Sequence, residues 1–128
     1  MAVGKQNREY YEKMVGLMEQ LGQAIPKTMG TYNRLHRVTT EDGALSFKVK
    51  ELMALGIAIT VRCDGCIAYH VAQALQAEAT YEEIVETIGV AILMGGGPSV
   101  MYGCEALAAL DEMHKIEEER IVQEQAEE

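Results

Sequence analysis

No apolar run in this chain approaches the ~20 residues that cross a bilayer, so a membrane span is not expected. The opening Met1-Ala2-Val3-Gly4-Lys5-Gln6-Asn7 lacks the apolar centre of a secretory signal, and the expected location is the cytoplasm. Positive charge is scarce too. Eleven Lys and Arg stand against 20 Asp and Glu, a net charge of −9, whereas a nucleic-acid partner needs a basic surface. Cysteines number three, an odd count that fits catalytic or metal-binding thiols better than a disulfide framework. Strand patterns, internal repeats and linkers are also lacking, which leaves one all-α domain over residues 1–128. At 128 residues it buries roughly two-thirds of its unfolded surface in one core.

What is present is apolar residues at helical spacing. Tyr10, Tyr11, Met14, Leu17, Met18 and Leu21 mark an amphipathic first helix that stops between Gly22 and Pro26, and Pro26 can begin the next. Thr28 to Val38 is a second helix, ended by Thr39-Thr40-Glu41-Asp42-Gly43. From Phe47 to Val61 the apolar residues are so dense that the helix they imply is buried, with Glu51 inside it. Helix formers resume after Asp64-Gly65 and run through Leu75. Thr80 and Glu83 form a capping box for a helix to Met94. Three glycines stop that helix, Pro98 suits the first turn of the last one, and a stretch from Ser99 to about Gln123 leads into a charged end, frayed at Glu124 to Glu128. About six helices result.

The chemistry concentrates in Cys63-Asp64-Gly65-Cys66, with His70 four residues later and Glu51 twelve residues earlier. A thiolate is the reactive form of cysteine, and it needs a neighbour that takes the proton or a helix N-terminus that stabilises the charge. Cys66 is expected in the first turn of a helix, where unpaired N–H groups favour an anion. If the second helix starts near Cys63, positions 63, 66 and 70 share one face, and the imidazole one turn from Cys66 can reach its sulfur. If the two helices fold back at residues 62–65, Glu51 lies roughly 15 Å down one and His70 roughly 10 Å down the other, facing each other. A carboxylate on the distal nitrogen of His70 would fix its tautomer and raise its basicity, making a relay from Glu51 through His70 to a cysteine.

Glu, eleven residues, Cys-x-x-Cys, three residues and His resembles the AhpD-like alkylhydroperoxidase branch of the carboxymuconolactone decarboxylase family, over roughly Leu45 to Met113. The resemblance implies that Cys66 attacks a hydroperoxide, that Cys63 is the more exposed partner which resolves the sulfenic acid into a disulfide, and that Glu51 and His70 relay protons. Gly65 stands where the best-studied members carry a second histidine that assists proton transfer. Disulfide exchange with a lipoyl group or another thiol carrier remains a possible activity. No cofactor is implied. The resemblance also implies a homo-oligomer, trimeric or hexameric, with a hexamer favoured. Apolar residues on more than one face of Ile84 to Met94 and Val100 to Leu110 agree, since one small core would not cover them all.

Two other classes compete. One is a lyase or hydrolase acting on a small lactone, as the wider family name suggests. The other is a non-enzymatic helical module in which Cys63, Cys66 and His70 hold zinc, with His36 or His114 as a fourth ligand reachable only by distant folding. For Glu51 the alternative is a surface carboxylate paired with Lys48 or Lys50. Tyr69 reads as a packing residue, Cys104 as a small buried apolar one, and Gly95-Gly96-Gly97-Pro98 as a tight inter-helix turn instead of an anion cradle.

Overall fold

Six α-helices follow one another in the computed structural model, which describes residues 7–128. α1 (Arg8–Ala24) starts where the Asn7 side chain accepts the Tyr10 N–H at 2.8 Å. Only Ile25 separates it from α2 (Pro26–Thr40), whose first position is the proline that needs no intrahelical donor. α3 (Phe47–Thr60) is capped by Ser46, α4 (Asp64–Gln76) by Cys63, and α5 (Tyr81–Gly95) by the capping box of Thr80 and Glu83. α6 (Gly97–Glu127) follows after Gly96 alone, at a φ of +69°. That conformation suits a residue without Cβ, so the glycine run is a tight turn.

The core lies among α3, α4, α5 and α6. Leu55, Ile59, Ile67, Val71, Ile84 and Leu110 are completely buried there, each side chain contributing about 1.5–3 kcal/mol. α5 and α6 approach closely at Gly103, where a Cβ would come within 2.9 Å of Ile88 Cγ2. α1 and α2 contribute no fully buried residue and form a hairpin, with α1 leaning on α4.

Both ends of α4 are set by the same device. After α3, the Arg62 N–H donates to Ile59 O and the Cys63 N–H to Ala58 O, with Arg62 in the left-handed region at a φ of +61°. After α4, Glu78 and Ala79 repeat this on Leu75 and Ala74, with Glu78 at +66°. These are Schellman closures, in which one left-handed residue lets the last carbonyls find donors. Their usual residue is glycine, so Arg62 holds a costly backbone conformation immediately before the first cysteine.

Two expectations are corrected. Cys104 is exposed, because the buried side of α6 runs through Gly103, Ala106, Ala109, Leu110 and Met113, and position 104 falls outside that stripe. The last helix does not fray at Glu124 but continues to Glu127, where Arg120 pairs with Glu117 one turn back and Glu124 one turn ahead.

Candidate active site

The turn from α3 to α4 carries the two thiols. Cys63 and Cys66 form a disulfide, with Cα atoms 5.2 Å apart. The separation of three residues across the first turn of a helix makes that approach possible. Cys63 is the cap, its Sγ accepting the Cys66 N–H at 3.3 Å. In this oxidised form the Cys66 N–H at the helix start therefore serves Cys63, whereas the sequence pointed to Cys66 as the sulfur that the helix start favours. Cys66 packs against the hydrophobic core, and both cysteines are half-buried.

Glu51 is completely buried on α3, and its neighbours Lys48 and Lys50 point elsewhere, to Glu83 and to the carbonyl of Glu41. Its Oε2 lies 2.7 Å from Nδ1 of His70 on α4, so the helix hairpin brings the two together as its geometry requires. The nitrogen engaged is Nδ1, the one nearer the backbone, and not the distal one. α3 and α4 are adjacent in the hairpin, and the carboxylate meets the base of the ring. Nε2 is left for other partners, and a neutral ring held this way donates from Nδ1 and accepts at Nε2.

His36 of α2 is the residue that sequence reasoning placed too far away. Its Nε2 stands 3.6 Å from Glu51 Oε1, the oxygen that His70 does not engage. The ring of Tyr69 sits edge-on to both imidazoles, with centroids 5.2 Å from His70 and 5.6 Å from His36. Burial first, then the negative charge of Glu51, pushes the Tyr69 phenol above its ordinary value, so it stays neutral and able to donate. Tyr69 thus packs against both histidines, whose own centroids are 6.2 Å apart. His114 lies elsewhere, beside Tyr81 and Glu118.

His36, Tyr69, His70 and the two cysteines open on one cavity of about 240 Å³, while Glu51 is buried and is not among its lining residues. α1 supplies Tyr11, Met14 and Met18 to its wall, α2 supplies Tyr32 and His36, and α4 with its cap supplies both cysteines, Tyr69 and His70. No lysine, arginine or carboxylate is among the lining residues. A side chain at Gly65 would point toward α1, its Cβ 3.6 Å from Met14 Cε. Among the described residues no three His, Cys, Asp or Glu side chains converge as a metal ion would require. No helix among them is long and apolar enough to cross a membrane.

The chain has relatives of known sequence and structure. A protein of Cupriavidus necator with no assigned activity is 42% identical over 94 residues, 73% of this chain and 83% of its own length. A protein from the cox locus of Paracoccus denitrificans is 40% identical over 79 residues, 62% of this chain and 71% of its own. Among solved structures, a carboxymuconolactone decarboxylase family protein of Legionella pneumophila in its apo form superposes with a TM-score of 0.76 at 39% identity, covering 80% of this chain and 91% of the other. A member from Thermotoga maritima, described in connection with an antioxidative response, superposes at 0.67 with 32% identity, covering 72% of this chain and 95% of the other. Residues 26–109 match the family's sequence profile and contain Glu51, both cysteines and both site histidines. On this match over well more than half its length, and on the shared fold, the chain belongs to the carboxymuconolactone decarboxylase family.

Proposed function

We propose that the protein is a thiol-dependent oxidoreductase of the AhpD-like branch, cycling Cys63 and Cys66 between dithiol and disulfide. The observation that carries this reading is the buried Glu51–His70 contact, with His70 lining the same cavity as the redox pair. In the reduced protein His70 takes the Cys66 proton through Nε2, and Glu51 stabilises the imidazolium that results. The Cys66 thiolate attacks the outer oxygen of a hydroperoxide, the O–O bond breaks, and His70 returns the proton to the departing alkoxide as alcohol. Cys66 is left as a sulfenic acid. Cys63 then attacks that sulfur, water leaves, and the disulfide forms. A lipoyl or other dithiol donor restores the two thiols by exchange.

The cavity favours small, uncharged and largely apolar substrates. Three tyrosines and two methionines stand in its wall, and no cation is among its described lining residues. A substrate as anionic as a carboxylated lactone would find no lysine or arginine among the lining residues. The Thermotoga relative's link to an antioxidative response points the same way.

We also propose a homo-oligomer, a trimer or hexamer, acting in the cytoplasm. Ile57, Val61, Val90 and Met94 are 61%, 64%, 62% and 74% exposed along the outer side of α3 and α5, an apolar strip that a lone subunit would leave to water. The test of function is to react the reduced protein with an organic hydroperoxide, counting thiols and trapping sulfenate in the wild type and in Cys63→Ser. Two thiols lost per chain, with sulfenate trapped at Cys66 in the variant, is the expected result. Thiols oxidised by a lipoyl disulfide but not by hydroperoxide would make the protein a disulfide reductase. Thiols untouched by both would overturn the redox reading and favour the lactone one.

A further inference from the structure

A buried carboxylate has two oxygens to satisfy, and the contact with His70 uses only one of them. Glu51 Oε1 is buried and makes no hydrogen bond, and the same is true of His36 Nε2, the atom that faces it at 3.6 Å. Each is an unpartnered polar atom, which is unfavourable to bury. Each is also what the other lacks, since a neutral imidazole carries an N–H donor and a carboxylate oxygen accepts. Shortening the gap by a few tenths of an ångström forms the bond.

His36 comes from α2, an outer helix with no fully buried residue of its own, and its side chain is 31% exposed while Nε2 is buried. Its titratable neighbours come from the elements around the cavity. α3 presents Glu51, the turn before α4 presents Cys63, α4 presents Tyr69, His70 and Cys66, α1 presents Tyr11, and α2 itself presents Tyr32. Tyr69 packs against both imidazoles, and each of these meets a different oxygen of the carboxylate.

We propose that His36 is a positioning residue of the relay, its Nε2–H donating to Glu51 Oε1 in the reduced protein so that the carboxylate stays ionised with Oε2 turned to His70. A hydrogen bond to the charged form of an acid favours that form, and the imidazolium at His70 needs an ionised partner to be stable. Without the donor, Glu51 is free to rotate or to hold a proton, His70 becomes a weaker base, and less Cys66 is present as thiolate. The inference rests on the Glu51–His70–Cys66 relay proposed above, though not on which oxidant the protein meets.

The experiment reads the rate at which iodoacetamide labels Cys66 in the reduced protein, followed by mass spectrometry from mildly acidic to alkaline pH. His36→Ala, His36→Gln and Glu51→Gln are compared with the wild type. The expected result is that His36→Ala slows labelling at neutral pH by about three- to tenfold, the scale of one hydrogen bond, and moves the pH midpoint upward. His36→Gln, whose amide N–H can replace the imidazole donor, restores the wild-type profile. Should His36→Ala fail to fold, His36→Phe takes its place. An unchanged profile in His36→Ala, or a His36→Gln profile identical to that of His36→Ala, overturns the proposal while a shift in Glu51→Gln leaves the relay standing. No shift in Glu51→Gln either would remove the relay as well.

Discussion

Glu51 and His70 stand 19 residues apart in the chain and 2.7 Å apart in space, and their contact exists because α3 and α4 run back along each other from the cysteine turn. Replacing either one by glutamine keeps much of the shape and removes the basic function. We expect Glu51→Gln and His70→Gln to slow thiol oxidation roughly 10²-fold at neutral pH, in line with general-base contributions. The deficit should shrink at alkaline pH, where Cys66 ionises unaided. Rate against pH with a fixed oxidant checks this, and a pH-independent loss would point to damaged packing.

The two cysteines should fail differently. Cys66→Ser should abolish turnover. Cys63→Ser should react once and stop at a sulfenate that dimedone captures. Equal residual turnover in the two variants would deny them distinct roles.

Arg62 at a φ of +61° is a residue with a Cβ where glycine belongs. Arg62→Gly should raise stability by about 1 kcal/mol, the penalty of the left-handed conformation less the added freedom of the unfolded chain. Denaturant unfolding measures it, and no gain would mean that the arginine side chain contributes an offsetting contact.

Glu83 ties the start of α5 to the backbone of Thr80 and to Lys48, and those two bonds hold its carboxyl below the usual 4.5. Because the folded value is lowered, its stabilisation is present in full above the unfolded carboxyl range and is lost as pH falls through the folded value. Glu83→Gln should therefore melt lower than wild type at neutral pH, and the two curves should converge in acid. The Lys48 share should also weaken in high salt, because both side chains are partly exposed.

The apolar strip on α3 and α5 can be tested by charge. Ile57→Asp and Val90→Asp place a carboxylate on side chains that are 61% and 62% exposed, so the helical signal should survive. Light scattering should show a smaller species than wild type. An unchanged mass would place the assembly surface elsewhere.

Much of this was legible in the residues. The dense run around Glu51 demanded a buried helix, the capping box marked the start of α5, and two helices meeting at Cys63 forced Glu51 toward His70. Periodicity reports which side of a helix is apolar, but it does not report where a peripheral helix leans. That is why His36 stayed hidden. α2 is mostly polar and exposed, and nothing local to it announces that one histidine reaches the carboxylate of α3. Cys104 was misplaced for a related reason, since residue type suggested burial and the register of α6 decided otherwise.

The inner side of the cavity is built on α4 and the cysteine turn before it, and α4 shares in the hydrophobic core, whereas its outer side is the α1–α2 hairpin, which anchors no fully buried residue. Chemistry and recognition are thereby carried by parts with unequal foundations. Tyr11, Met14 and Met18 also fall before residue 26, where the match to the family begins. Substitutions confined to α1 can therefore reshape what the pocket admits while Glu51, His70 and both cysteines keep their places on the α3–α4 hairpin.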